Sequence, residues 1–169
     1  MCSDLNDVLN QRIYNTAGEL LAVLRYRGLR ITFAESCTGG LLAAALTEHA
    51  GSSEVLEMAF VTYCDRAKSG LLGVPEDVLA SYTAVSAHTA AAMAEGALKR
   101  SGADLAISVT GLAGPGGGSG KRPVGLVYIG IAGLGHTAVL RCRFCGDRSA
   151  VRSQAALKAL RLVLDRADV

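Results

Sequence analysis

The feature that most restricts this chain is the small size of its apolar side chains. Alanine supplies 27 of the 169 residues and glycine 20, against three Phe, five Tyr and no Trp. A core made of such groups lacks the area that aromatic rings bury, so it has to gain contact by bringing backbones close together. Layered α/β architecture does this, with helices lying flat on a sheet. Half of the residues are apolar and 19% are charged, which excludes wholesale disorder. The length suits one compact domain, so residues 1–169 are expected to form a single unit.

Hydrophobic periodicity supplies the elements. Leu5, Val8, Leu9, Ile13, Leu20, Leu21 and Leu24 recur at helical spacing from Leu5 to Arg27, and Gly28 supplies a stop. Arg30–Glu35 reads as a strand, Leu41–Leu46 as a helix, Glu57–Cys64 as a second strand and Asp65–Leu72 as a short helix. Pro75 suits the first position of another short helix reaching Tyr82. Ser86 suits the N-cap of a long helix, Ala87–Ser101. Asp104–Thr110 is a strand running directly into the glycine-rich stretch Gly111–Gly120. Val124–Ala132 and His136–Phe144 form a hairpin across Gly133-Leu134-Gly135, and Asp147 caps a last helix, Arg148–Arg166. This order predicts a mixed sheet with helices on its faces.

Charge narrows the function classes. Seventeen basic residues against fifteen acidic give a net charge of +2, far from the basic field that dominates nucleic-acid affinity. No apolar run reaches the ~18 residues needed to span a bilayer. Residues 1–7 are polar and lack a basic region followed by an apolar stretch, so a cytoplasmic protein is expected. Five cysteines, an odd number, argue against a disulfide framework. Cys142 and Cys145 form a lone C-x-x-C whose sulfurs would point to opposite faces of a strand, so no metal site is expected.

Three segments carry chemistry. In Glu35-Ser36-Cys37-Thr38-Gly39-Gly40, a hydroxyl stands at a strand-to-helix junction, where unpaired amides and the helix dipole can hold a phosphate or an oxyanion. Ser36 is either a nucleophile or, like Thr38, an N-cap; Gly39 and Gly40 permit close approach of a ligand or serve packing. The histidines at 49, 88 and 136 are scattered, so a Ser-His-Asp triad has little support. Lys68 is the better base if burial lowers its pKa, with Tyr63 relaying or orienting the proton; otherwise it is a surface lysine. The Thr110–Gly120 loop exposes backbone amides suited to a phosphate or ribose. It fails the P-loop pattern, since Pro115 replaces the first glycine and Arg122 the Ser or Thr, and a strand follows it. Arg148 and Arg152, four apart on a helix, either clamp a phosphate together or face solvent.

Taken together, Glu35–Gly40, Val61-Thr62-Tyr63 with Lys68, Leu71–Pro75, Ala84-Val85-Ser86, Val109–Gly118, Pro123-Val124-Gly125 and Gly146-Asp147-Arg148 with Arg152 resemble the C-terminal domain of the CinA (competence/damage-inducible) family. The resemblance covers about Arg30 to Leu164, leaving residues 1–28 as an N-terminal helix. It implies a three-layer α/β/α sandwich, a homodimer or larger homo-oligomer, and no metal or organic cofactor. It implies hydrolysis of nicotinamide mononucleotide to nicotinate mononucleotide and ammonia, in pyridine-nucleotide recycling. The family's serine, tyrosine and lysine fall on Ser36, Tyr63 and Lys68. The oxyanion falls at the helix start formed by Cys37, Thr38, Gly39 and Gly40. Substrate binding falls on Thr110, Gly111, Gly114, Pro115, Gly116 and Gly117 with Arg148 or Arg152. Two departures stand out. Cys64-Asp65 replaces the Ser-Asn or similar pair that often follows the tyrosine, so Asp65 is expected either to change a hydrogen bond to the substrate or to stand near Lys68 and raise its pKa. The molybdopterin-binding-like domain of longer members has no counterpart in these residues, so its pyrophosphatase activity is not expected. The alternatives are a nucleotide-binding module without turnover, or an amidohydrolase for another small amide.

Overall fold

The computed structural model describes residues 2–167. Its elements are α1 (Cys2–Arg27), β1 (Ile31–Glu35), α2 (Leu41–Thr47), one 3-10 turn (Ser52–Glu54), β2 (Leu56–Val61), α3 (Asp65–Leu72), α4 (Glu76–Tyr82), α5 (Ala87–Ser101), β3 (Leu105–Gly111), β4 (Leu126–Gly133), β5 (His136–Arg143) and α6 (Arg148–Ala167). The five strands form one sheet in the order β2-β1-β3-β4-β5. β1 runs parallel to β2 and β3, whereas β4 is antiparallel to β3 and to β5. This is the α/β/α sandwich with a mixed sheet that the sequence predicts.

Alternation along the strands divides the core in two. Ile31, Phe33, Leu105, Ile107, Val109, Val127, Ile129 and Ile131 pack on one face with Leu20 and Leu24 of α1, Leu42 and Leu46 of α2, and Leu160 and Val163 of α6. The other face carries Ala34 and Ala106 against Met93 and Ala97 of α5, with Leu72, Val74 and Leu79 behind. There the sheet residues are small because α5 lies almost on the backbone. Ser108 Oγ donates to the Ala90 carbonyl at 2.6 Å, and a Cβ at Gly130 would stand 2.5 Å from that same oxygen. On the α5 face, then, small residues let the helix approach the sheet backbone, while Ala17, Ala155, Ala156 and Ala159 do the same for α1 and α6 on the other face.

Several boundaries move for identifiable reasons. β2 ends at Val61, short of Cys64, because its partner β1 ends at Glu35; the Thr62 amide donating to the Glu35 carbonyl at 2.8 Å is the last link. β4 begins at Leu126, since Gly125 turns the chain with φ 87°. Pro75 is the N-cap of α4, one position before the helix proper. Ser86 and Asp147 do cap α5 and α6, accepting from the Thr89 amide at 3.1 Å and the Ala150 amide at 2.8 Å. The hairpin closes on two residues, Leu134 and Gly135, both at positive φ (50° and 77°), as a type I′ turn requires.

Topology places the site. The chain leaves β1 for β2 on one side and later returns to β3 on the other, so the connections diverge at β1. In open α/β sheets the crevice beyond the carboxyl ends at such a point is where ligands bind. Ser36, Thr62 and the glycine loop all emerge there.

Candidate active site

Parallel pairing of Glu35 with Val61 sets the ends of β1 and β2 side by side. Ser36 follows β1, its amide pinned to the Val109 carbonyl at 2.9 Å. α3 starts at Asp65, and its fourth residue, Lys68, turns back under the junction. Lys68 is only 1% exposed. Its Nζ donates to the Thr62 carbonyl at 2.9 Å and lies 3.3 Å from Ser36 Oγ. Two residues 32 positions apart in sequence are therefore in contact. Burial lowers the Lys68 pKa; the negative charge of Asp65 is the largest opposing influence, followed by Cys64 and Cys37. Asp65 thus acts in the expected direction, but burial outweighs it and the net shift is downward.

The turn after Ser36 differs from expectation. Glu35, fully buried, turns its carboxylate to the start of α2: Oε2 accepts from the amides of Gly40 (3.0 Å) and Leu42 (3.2 Å), and Oε1 from Ala43 (3.0 Å). The helix start is already occupied by an internal anion, so Gly40 offers nothing to an oxyanion. The Gly39 amide donates to the Ser36 carbonyl at 3.1 Å. The amides of Cys37 and Thr38 have no acceptor among the described residues. The Cys37 thiol is buried and pushed up to about 11, chiefly by desolvation, against its own backbone amide and Arg152; it is no thiolate at neutral pH.

The remaining candidates separate into different jobs. Tyr63 is exposed, and its hydroxyl accepts from Arg148 Nη2 at 2.7 Å, so it is bonded to that arginine instead of to Ser36 or Lys68. Arg148 Nη1 also donates to the Gly114 carbonyl at 2.8 Å, which joins the end of β2 to the glycine loop. Arg152 instead braces the serine turn, with Nε donating to the Cys37 carbonyl (3.2 Å) and Nη2 to that of Thr38 (2.7 Å). The two arginines share a helix face but do not form one clamp. Thr110 is buried and its hydroxyl is committed to the Ala84 carbonyl at 2.6 Å. Gly111 is paired within the sheet, opposite Val127. Both are held within the fold by these bonds, whereas Pro115, Gly116 and Gly117 are exposed.

Sequence reasoning gave Glu35 and Thr62 no role. An acidic residue five positions ahead of the helix N-cap, Gly40, was the available signal for Glu35, since its charge suits the unpaired amides there. The histidines lie elsewhere: His49 packs on Tyr14 and His88 stacks on Tyr82 at 3.7 Å between ring centroids. Among the described residues, no group of three or more His, Cys, Asp or Glu is placed to hold a metal ion, and no helix is long and apolar enough to cross a membrane.

Comparison with known proteins places this geometry in a lineage. The model of the CinA C-terminal domain matches residues 14–167. The chain belongs to the CinA C-terminal domain family. Nicotinamide-nucleotide amidohydrolase PncC of Enterobacter agglomerans is 48% identical over 155 residues, covering 91% of this chain and 94% of that protein. A CinA-like protein of Geobacter sulfurreducens is 48% identical over 157 residues, but this chain spans only 38% of its length. Among solved structures, the competence/damage inducible protein CihA from Agrobacterium tumefaciens superposes with a TM-score of 0.90 at 42% identity, covering 94% of this chain and 96% of that one. A CinA superfamily protein from Klebsiella pneumoniae gives 0.89 at 37% identity, covering 92% and 98%.

Proposed function

We propose that this chain hydrolyses the carboxamide of nicotinamide mononucleotide to nicotinate mononucleotide and ammonia, with Ser36 as nucleophile and Lys68 as base. The observation that carries the reading is the buried Lys68 Nζ, 3.3 Å from Ser36 Oγ, in a chain 48% identical to a protein named nicotinamide-nucleotide amidohydrolase along 94% of that protein.

The chemistry follows from what each group offers. Desolvation favours neutral Lys68, and one of its N–H groups is held by the Thr62 carbonyl. That anchor leaves the nitrogen lone pair for the Ser36 proton. As Ser36 Oγ bonds to the carboxamide carbon, the carbonyl oxygen gains charge, and the unpaired Cys37 and Thr38 amides are the donors nearest in sequence to receive it. The Lys68 ammonium then gives its proton to the departing nitrogen, ammonia leaves, and an ester on Ser36 remains. Water attacks that ester and its proton passes to Lys68; as the bond from the acyl carbon to Ser36 Oγ breaks, Lys68 returns the proton to Oγ, and nicotinate mononucleotide is released with Ser36 and neutral Lys68 restored.

The exposed Pro115–Gly117 segment and the donors of Arg148 would hold the ribose phosphate, with Tyr63 orienting Arg148. Binding that remote group positions the amide. The test is ammonia release from nicotinamide mononucleotide, its dephosphorylated riboside and free nicotinamide at equal concentrations. The reading expects kcat/KM to fall by about 100-fold or more on removal of the phosphate or the ribosyl phosphate. Equal kcat/KM for free nicotinamide would contradict it.

A further inference from the structure

Among the described residues, the non-glycine positions at positive φ are Thr83 and Leu134, and Thr83 is the more strained of the two. It closes α4 at φ 67°, ψ 170°, a region that is in practice reserved for glycine, and it does so with a β-branched side chain. Strain of this kind persists only where surrounding contacts hold it, and here those contacts are explicit. The Thr83 carbonyl accepts from Thr89 Oγ1 at 2.6 Å and from Ser86 Oγ at 3.2 Å. The Thr83 hydroxyl accepts from Arg122 Nη1. The next carbonyl, that of Ala84, accepts from Thr110 Oγ1 at 2.6 Å.

Thr110 and Arg122 stand at the two ends of the glycine loop. The loop is closed at its neck by the Leu112 amide on the Leu126 carbonyl (2.9 Å) and the Gly125 amide on the Leu112 carbonyl (2.7 Å). Its Gly114 carbonyl is held from the serine side by Arg148. From the opposite side, the Thr83–Ala84 corner grips the loop's first strand residue and its last charged one. Glycine at position 83 would adopt the same backbone without strain, yet it would leave Arg122 without this partner.

We infer that Thr83 is a positioning residue: its hydroxyl anchors Arg122 and thereby fixes the exposed glycine loop at the distance from Ser36 that substrate binding needs. The kinetic part of this inference rests on the amidohydrolase reading; the anchoring part does not. A side chain held in an unfavourable backbone for the sake of one contact predicts opposite effects on stability and on loop order when it is removed.

The experiment compares Thr83→Gly, Thr83→Ala, Thr83→Ser and Arg122→Gln with the wild-type chain. Loop order is read by limited trypsin digestion after Lys121, which is exposed and remains a cleavage site in every variant; cleavage after residue 122 is blocked by Pro123. Loss of the anchor in Thr83→Ala and Arg122→Gln is expected to speed that cleavage by about threefold or more, with Thr83→Ser within about twofold of wild type. The same two variants are expected to raise KM for nicotinamide mononucleotide about fivefold with kcat nearly unchanged. Thr83→Gly is expected to melt about 2–4 °C above Thr83→Ala, because only the glycine removes the strain.

Cleavage and KM at wild-type values in both Thr83→Ala and Arg122→Gln would overturn the inference. So would faster cleavage with unaltered KM, which would make the corner a structural brace alone. Faster cleavage with no hydrolysis of nicotinamide mononucleotide by any of the proteins, wild type included, would leave the anchor standing and remove the amidohydrolase reading instead. Arg122→Gln, at an exposed position, keeps the test valid if a Thr83 variant fails to fold.

Discussion

The buried Glu35 carboxylate makes the sharpest prediction about stability. Replacing it by glutamine keeps the volume but exchanges one acceptor oxygen for an NH2 group. The remaining carbonyl oxygen would take the Oε2 place, where it still serves the Gly40 and Leu42 amides. The NH2 group would then face the Ala43 amide, donor against donor, where Oε1 had accepted at 3.0 Å. Losing one charge-assisted bond and leaving a partly buried amide unpaired costs about 2 kcal/mol. Glu35→Ala strips all three amides of their partner and opens a cavity, for a loss of about 3–5 kcal/mol. For a chain of this length each kcal/mol moves the melting temperature by about 2–4 °C. Glu35→Gln is therefore expected to melt about 4–8 °C lower and Glu35→Ala about 6–20 °C lower, in thermal unfolding followed by circular dichroism. Because the same carboxylate fixes the turn that carries Ser36, turnover measured well below the melting transition is expected to fall in Glu35→Gln as well. A Glu35→Gln protein with wild-type melting would refute the reasoning, since it would show that the three amides do not depend on the negative charge.

Other consequences are simpler to state. The Cys37 thiol titrates at 9.0 when unperturbed and near 11 in the fold, so the folded chain keeps a proton that the unfolded chain loses. Its contribution to stability is intact below pH 9 and falls by about 2 kcal/mol as pH rises to 11; Cys37→Ala is expected to flatten that alkaline loss in urea titrations, and an unchanged slope would contradict it. Lys68 acts in the opposite sense, since its folded pKa lies below 10.5 and stability recovers as pH rises through that window, which is why the Cys37 variant is needed to separate them. At the β4–β5 turn, Leu134 holds φ 50° beside Gly135, where asparagine is favoured. Leu134→Asn is expected to gain about 0.5–1 kcal/mol, visible as a melting temperature higher by about 1–4 °C, and a lower one would argue against the turn assignment.

The parts of this fold that the sequence disclosed are those set by local periodicity. α1, α5 and the β4–β5 hairpin follow from apolar spacing, capping by Ser86 and the paired positive-φ positions after Ala132. The end of β2 was not legible, because Thr62-Tyr63-Cys64 has strand-like residues and only the length of its neighbour, β1, stops the pairing. The site shows the same division. Ser36 and Lys68 stand out as residue types at strand-to-helix junctions, but their contact depends on the parallel register of β1 with β2, which no local pattern encodes. Tyr63 stands five positions before Lys68 in the sequence, yet its hydroxyl accepts from Arg148, 85 positions away, a pairing that no local pattern encodes. Glu35 escaped notice because a fully buried carboxylate is costly unless several donors converge on it, and those donors are backbone amides that any sequence would supply.

The central claim is that Ser36 forms a covalent ester while Lys68 handles its proton. Ammonia release from nicotinamide mononucleotide by the wild-type chain and by Ser36→Ala, each melted and shown to be folded, addresses it directly. The account predicts release by the wild type that rises with pH as Lys68 loses its proton, and a loss of about 1,000-fold or more in Ser36→Ala. Release that survives the Ser36→Ala substitution would contradict the covalent mechanism.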